Sequence, residues 1–178
     1  VSDKQLFAQI CRELEIPTPR DVVVDLREGP GLPQEIPFGF PVIAKAASSA
    51  DWTNLSFPGK HKVYSVATKT ELDAVLQSAY EAGYREKFII QEMIHGDDSQ
   101  MRSITAYVDG SGRTTLMSGA DVLLEEHTPS GLGNPGAMIT RVDTELARLA
   151  QNFLEGTNYR GFANFDVKVD AHTGRPYF

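Results

Sequence analysis

The stretch GFANFDVKV, residues 161–169, constrains this chain more than any other. Side chains on a strand alternate between faces, so Asn164, Asp166 and Lys168 fall on one side while Phe165, Val167 and Val169 take the other. Such a strand needs a core beneath one face and water or a cleft over the other. A hard divalent cation wants oxygen ligands, and Asp166 with Asn164 nearby supplies part of such a set. A plain solvated sheet face explains the same alternation, and the residues alone leave both readings open. The turn DAHTG and a second short strand at 176–178 follow, which makes a hairpin.

The rest of the chain mixes helical and strand periods. Leu6, Phe7, Ile10, Cys11 and Leu14 recur at helical spacing over 3–15, and the prolines of IPTP end that helix. DVVVDL (21–26), FPVIAKA (40–46), KVYSVA (62–67) and EKFIIQEMI (86–94) read as strands. A helix is expected over 70–82 with Leu72, Val75, Leu76 and Ala79 inward, and Gly83 after it. Strands at 101–108 and from about Arg113 flank the turn DGSG, and a helix over 143–155 carries a stripe from Leu146 to Leu154. Residues 27–39, 47–62 and the glycine- and proline-rich EEHTPSGLGNPG read as loops. Without a regular repeat, the class is α+β with antiparallel hairpins.

Totals exclude several functions. A net charge of −7 argues against a broad nucleic-acid face, and no segment approaches the roughly 20 apolar residues that cross a bilayer. The polar N-terminus lacks a signal-peptide pattern, so a cytoplasmic location is expected. The single Cys11 has no internal partner and reads as a buried structural thiol. Histidines 61, 95, 127 and 172 never pair at i and i+4 and none belongs to HExxH, which speaks against zinc catalysis. Ser48 and Ser49 lack the GxSxG elbow, so hydrolysis through a serine nucleophile is not supported. Neither GxGxxG nor GxxxxGK[ST] occurs, so a bound nucleotide needs another architecture.

Two charges on apolar strands stand out. Lys45 ends FPVIAKA, where an ammonium must reach solvent or meet an anion such as a phosphate. In IIQEMIHGDD, a flat heterocycle lying against the backbone from Glu92 to Ile94 would pair with its N–H and C=O groups while Asp98 accepted hydroxyl hydrogen bonds, a geometry the sequence does not itself fix. An acidic turn leaving the core fits those residues equally well.

Taken in order, ELEIPTPR, FPVIAKA, FIIQEMIHGDD and GFANFDVKVDAHTGRPYF resemble the ATP-grasp fold, specifically its carboxylate-amine ligase-like members, the short carbamoyl phosphate synthase large-chain or D-aspartate ligase-like group. The resemblance runs through the whole chain. It implies two α+β lobes with the nucleotide between them: residues 1–35 joining the core, 36–94 as the small lobe and 95–178 as the large one. It also implies that Lys45 contacts ATP phosphates, that Glu92, Met93 and Ile94 form the adenine hinge, and that Asp98 meets the ribose. Asp166 matches a Mg²⁺ ligand, and Ser48, Lys60 and Lys168 are further nucleotide contacts. The phosphate-covering segment SSADWTNLSFPGKHK departs from the glycine-dense form of many relatives. Arg102, Glu126 and His127 are candidates near the second substrate.

The activity implied is ATP-dependent ligation of a small carboxylate to an amine through an acylphosphate. A partner acid in an E-x-N-P-R segment would follow the strand that begins at PYF, so the resemblance implies a fragment that is inactive by itself. A homodimer is the assembly entertained. Carbamoyl phosphate synthase or biotin carboxylase-like chemistry keeps the fold and changes the acceptor, and a non-catalytic nucleotide-binding module is the reading from another class.

Overall fold

The computed structural model describes residues 4–31, 36–128, 131 and 133–178, without the side chain of Gln5. In chain order the elements are α1 (Lys4–Glu13), β1 (Asp21–Asp25), β2 (Val42–Ala46), α2 (Ser49–Thr53), β3 (Tyr64–Val66), α3 (Lys69–Glu81), β4 (Lys87–Glu92), β5 (Met101–Val108), β6 (Thr114–Glu125), β7 (Pro135–Arg141), α4 (Thr144–Gly156), β8 (Gly161–Val169) and β9 (Pro176–Tyr177). Single 3₁₀ turns lie at Leu26–Glu28 and Asp98–Gln100. Helices beside antiparallel sheets make the fold α+β. Parts of the 27–39 and 125–136 connections lie outside the described residues.

Two compact units share the chain, and each is built from separate segments. One comprises Val1–Gln5, Pro19–Met93 and His127–Leu132; the other comprises Leu6–Thr18, Ile94–Glu126 and Gly133–Phe178. The chain passes from the first to the second between Met93 and Ile94. The N-terminal stretch is divided too: Leu6–Thr18 belongs with the second unit and the strand after Pro19 with the first.

In the first unit the antiparallel sheet runs β1-β4-β2-β3. Val42, Ala44 and Ala46 alternate inward along β2, and with Phe88 and Ile90 of β4 they pack on Leu72, Leu76 and Ala79 of α3. Thr68 caps α3 by accepting the Glu71 N–H, while Glu71 accepts the Ala67 N–H, a reciprocal lock on the helix start. Trp52 anchors the 47–62 segment. Its ring meets Tyr84 at 5.1 Å and Phe88 at 5.5 Å, edge to face, and its indole N–H donates to the His61 carbonyl at 3.0 Å. The segment expected to be wholly irregular therefore contains α2, whose start Ser48 caps by accepting the Asp51 N–H. One helical turn is too short to impose a hydrophobic period.

The second unit carries a five-stranded antiparallel sheet in the order β7-β6-β5-β8-β9. Ile104, Ala106 and Val108 of β5 and Phe165 and Val167 of β8 form one face, packed with α4 and α1. Phe7 of α1 meets Phe153 of α4 at 5.0 Å, and Phe153 meets Phe165 at 5.4 Å. Gly156 admits the Leu14 side chain, because a Cβ there would lie 2.8 Å from both Leu14 Cδ atoms. Asp143 caps α4 by accepting the Glu145 and Leu146 N–H groups, each at 3.1 Å. Cys11 is fully buried here, and burial pushes its thiol up to about 12, so it packs as a small apolar group. The strand β7 was not expected. Each of its residues is exposed, so this sheet edge has no buried face to write an alternation into the sequence.

No helix among the described residues is long and apolar enough to cross a membrane. Leu76 is fully buried against the β2 and β4 side chains. Leu76→Ala is expected to lower stability by about 2–5 kcal/mol. Urea unfolding followed by Trp52 fluorescence, the only tryptophan in the chain, measures it locally; an unmoved midpoint would contradict the packing described.

Candidate functional site

On the first unit, Lys45 lies on the sheet face opposite Ala44 and Ala46, paired across to Ile89. Its Nζ donates to Gln91 Oε1 at 3.0 Å. That acceptor is a neutral amide, so the hydrogen bond does nothing to balance the charge. Burial, and then the positive charge of Lys4, push the Lys45 ammonium down to about 8, with Asp21 pulling the other way. Lys4 donates to the Ala46 carbonyl at 3.2 Å, and it is itself lowered by burial and by the charge of Lys62. The face thus collects cations around a half-buried lysine.

Lys4 escaped sequence reasoning because only the apolar stripe of α1 was read. A cue was present: the helix macrodipole disfavours a cation in the first turn, so a lysine there calls for another role. Gln91, a polar residue within the apolar run of β4, was missed as well.

The remaining first-unit candidates have visible partners. Glu92 accepts the Arg20 backbone N–H and the Arg20 Nε, each at 2.8 Å, so its side chain pins the start of β1 to the end of β4. Met93 follows where the chain leaves this unit. Ser48 bonds Asp51 through its hydroxyl, and its N–H donates to the Tyr84 hydroxyl at 3.4 Å. Lys60 donates to the Thr53 and Leu55 carbonyls and lies 5.8 Å from the Trp52 ring centre, which closes the loop on itself. Both Ser48 and Lys60 thus have structural work within their own segment.

On the second unit, the sheet face away from α4 carries Ser103, Thr105, Asn164 and Asp166 in two adjacent rows. Asn164 Oδ1 accepts from the Ser103 hydroxyl at 3.1 Å and the Thr105 hydroxyl at 2.9 Å. Its amide then donates to Asp166 Oδ1 at 3.2 Å. Two donors therefore fix the amide so that its NH₂ faces the carboxylate. Asn164 orients Asp166 here, whereas the sequence pattern pointed to its own oxygen as part of a cation's ligand set. Lys168 lies on the same face and opposite Met101, and its charge reaches Asp97. Ile94 opens this unit, and Asp98 accepts the Glu125 N–H at 3.1 Å, which ties the 3₁₀ turn to the end of β6.

Arg102 points the other way. In register it pairs with Val167 and Asp121, on the helix-covered face. Asp121 lies 2.9 Å from Arg102 Nε and 3.0 Å from Arg141 Nη1, beside a cavity of about 300 Å³ whose lining includes Met117, Asp143 and Leu146. The pocket and Asp166 are thus on opposite faces of one sheet. Glu126 follows β6 and donates its N–H to the Asn134 carbonyl, while His127 is exposed.

Comparison with known proteins places this architecture. No family model matches the chain. The chain covers 99% of its own length when aligned with the D-alanine–D-alanine ligase from Bacillus anthracis complexed with ATP (TM-score 0.62, 18% identity, 53% of that chain). It also aligns over 99% with the biotin carboxylase-beta-gamma-ATP complex from Campylobacter jejuni (TM-score 0.67, 19% identity, 39% of that chain). The chain has the ATP-grasp fold. In sequence, it is a homologue of a D-aspartate ligase from Enterococcus faecium (strain Aus0004), 37% identical over 174 residues and 97% of this chain. It spans 41% of that relative's length.

The electrostatics of Lys45 have a measurable consequence. The unfolded chain keeps this proton to about 10.5, and the folded chain releases it near 8. Between those values the unfolded state binds more protons, so this group makes stability rise with pH across that window. Denaturant midpoints measured from pH 7 to 10.5 are expected to climb less in Lys45→Met than in the parent chain; parallel curves would show an ordinary surface lysine.

Proposed function

We propose that this chain is the ATP-binding portion of an ATP-dependent carboxylate-amine ligase. One observation carries the reading: on an ATP-grasp fold, the half-buried Lys45 ammonium has a neutral amide as its hydrogen-bond partner and another lysine as its strongest electrostatic neighbour. A polyphosphate satisfies both cations at once. Lys45 and Lys4 take phosphate oxygens in this proposal, with Ser48, Lys60 and Lys168 as lesser contacts. The backbone from Glu92 through Met93 to Ile94 takes the adenine edge, and Asp98 the ribose.

Asp166 fits one carboxylate of the oxygen set that Mg²⁺ requires, held in orientation by Asn164. Magnesium supplies charge neutralisation on the phosphates when bound. The reaction moves the γ-phosphoryl group from ATP to a substrate carboxylate oxygen, giving ADP and an acylphosphate. An amine then attacks the carbonyl carbon, phosphate leaves with the C–O electron pair, and the nitrogen loses a proton to give an amide. No side-chain nucleophile is needed, since placement and charge stabilisation suffice. The relative's name supports D-aspartate as the carboxylate to test first, and a cytoplasmic setting, where ATP is available, goes with this reading.

Calorimetric titration of ATP with Mg²⁺ tests the binding half. Lys45→Ala is expected to weaken binding about 10- to 100-fold, the size of a hydrogen bond to a charged group. Asp166→Asn is expected to reduce the gain that Mg²⁺ gives. Equal affinity in Lys45→Ala and the parent chain would overturn the phosphate assignment. In the full-length protein, phosphate release from ATP should require D-aspartate and an amine together.

A further inference from the structure

Away from Lys45 and Asp166, the second unit brings together three groups distant in sequence. His95 lies just before the 3₁₀ turn, Asp170 directly follows β8, and His172 sits in the β8–β9 turn. Among the described residues, donor atoms of these three lie within 4.8 Å of one another. The two imidazole rings are 4.5 Å apart between centres and inclined by 30°. We infer that His95, Asp170 and His172 form a binding site for a borderline divalent transition metal such as Zn²⁺, Ni²⁺ or Co²⁺, distinct from the magnesium position proposed at Asp166.

The backbone presents these groups together by construction. Ala171 donates its N–H to the His95 carbonyl at 2.9 Å, and Asp170 and Gly174 close the turn through Arg175 O and Asp170 O. The two segments are therefore fixed to each other before any ion arrives. Asp170 is a buried residue whose two oxygens have different duties. Oδ1 accepts from the His172 N–H at 3.0 Å, the Thr173 N–H at 2.8 Å and the Thr173 hydroxyl at 3.0 Å, which saturates it. Oδ2 has only the His95 N–H and Nδ1, both at 3.4 Å, beyond the usual range for a hydrogen bond.

Turn capping accounts for Oδ1, and a long His95–Asp170 contact accounts for part of Oδ2. Neither involves the His172 ring, which lies beside the His95 ring. A shared cation reconciles all three groups. Tetrahedral coordination at roughly 2.0–2.2 Å sets donor atoms about 3.3–3.6 Å apart, and His95 and Asp170 already meet that spacing. His172 is exposed, and its donor atom lies within 4.8 Å of those of His95 and Asp170. Two imidazoles and one carboxylate select zinc-like ions over magnesium, and water completes the fourth position. An ion here clamps the segment after β4 to the β8–β9 turn.

The test is titration of the tag-free chain with Zn²⁺ by calorimetry and with Co²⁺ by visible absorption. One equivalent is expected, with the d–d bands of a low-coordinate site. His95→Ala and His172→Ala should each weaken binding at least about 10-fold, while His61→Ala/His127→Ala and Asp166→Asn leave it unchanged. His95→Gln and His172→Gln, with circular dichroism to confirm folding, separate lost ligation from lost structure. Absence of stoichiometric binding to the parent chain overturns the proposal. So does binding that survives loss of His95 and His172, or that disappears with Asp166. ATP affinity is measured in parallel, so a failed metal site is distinguishable from a failed nucleotide site.

Discussion

A strand in a sheet covered on one side must satisfy two environments with alternate residues, and both units are organised by that demand. On β2 it sends Val42, Ala44 and Ala46 into a helix-covered core and leaves Lys45 on the opposite face. On β8 it sends Phe165 and Val167 inward and leaves Asn164, Asp166 and Lys168 on the other. Chemistry-bearing groups therefore occupy the faces that packing does not need. A one-residue slip in either register would bury an ion and expose a core side chain, so packing energy holds the candidate groups in place.

The two faces solve their electrostatic problems differently. On the first unit, burial and then neighbouring lysines push the Lys4 and Lys45 ammonium groups down, which makes the surface receptive to a polyanion. On the second, Asn164 relays two hydroxyl hydrogen bonds into a donor aimed at Asp166, so neutral dipoles help to orient the carboxylate.

Much of the fold was legible because strong periods have strong physical causes. The strand at 101–108 and the strand at 161–169 emerged at their observed bounds, and α3 and α4 emerged within a residue or so, since each buries a continuous stripe. The exposed β7 and the single turn α2 were not legible, because neither has a stripe to bury. Among site groups, Lys45 and Asp166 drew attention as charges on apolar strands. Lys4 and Gln91 did not, because their relevance depends on β-sheet neighbours far away in sequence. The His95–Asp170–His172 cluster was invisible for the same reason: a search for histidines at helical spacing does not find ligands joined by a hairpin turn and a strand-end crossing.

The packing of α1 against α4 also bears on how the chain is made. Phe7 finds its aromatic partner in Phe153, and Leu14 fills the space beside Gly156. At a synthesis rate of about 5–20 residues per second, the first helix waits roughly 7–30 s for that partner to leave the ribosome. Through that interval its Phe7, Ile10 and Leu14 stripe has no α4 to cover it, while β1 to β4 are all made before α4 begins. The first unit can therefore consolidate early, and the second behaves as a late-closing assembly whose α1 stripe must be sheltered from aggregation until α4 is made.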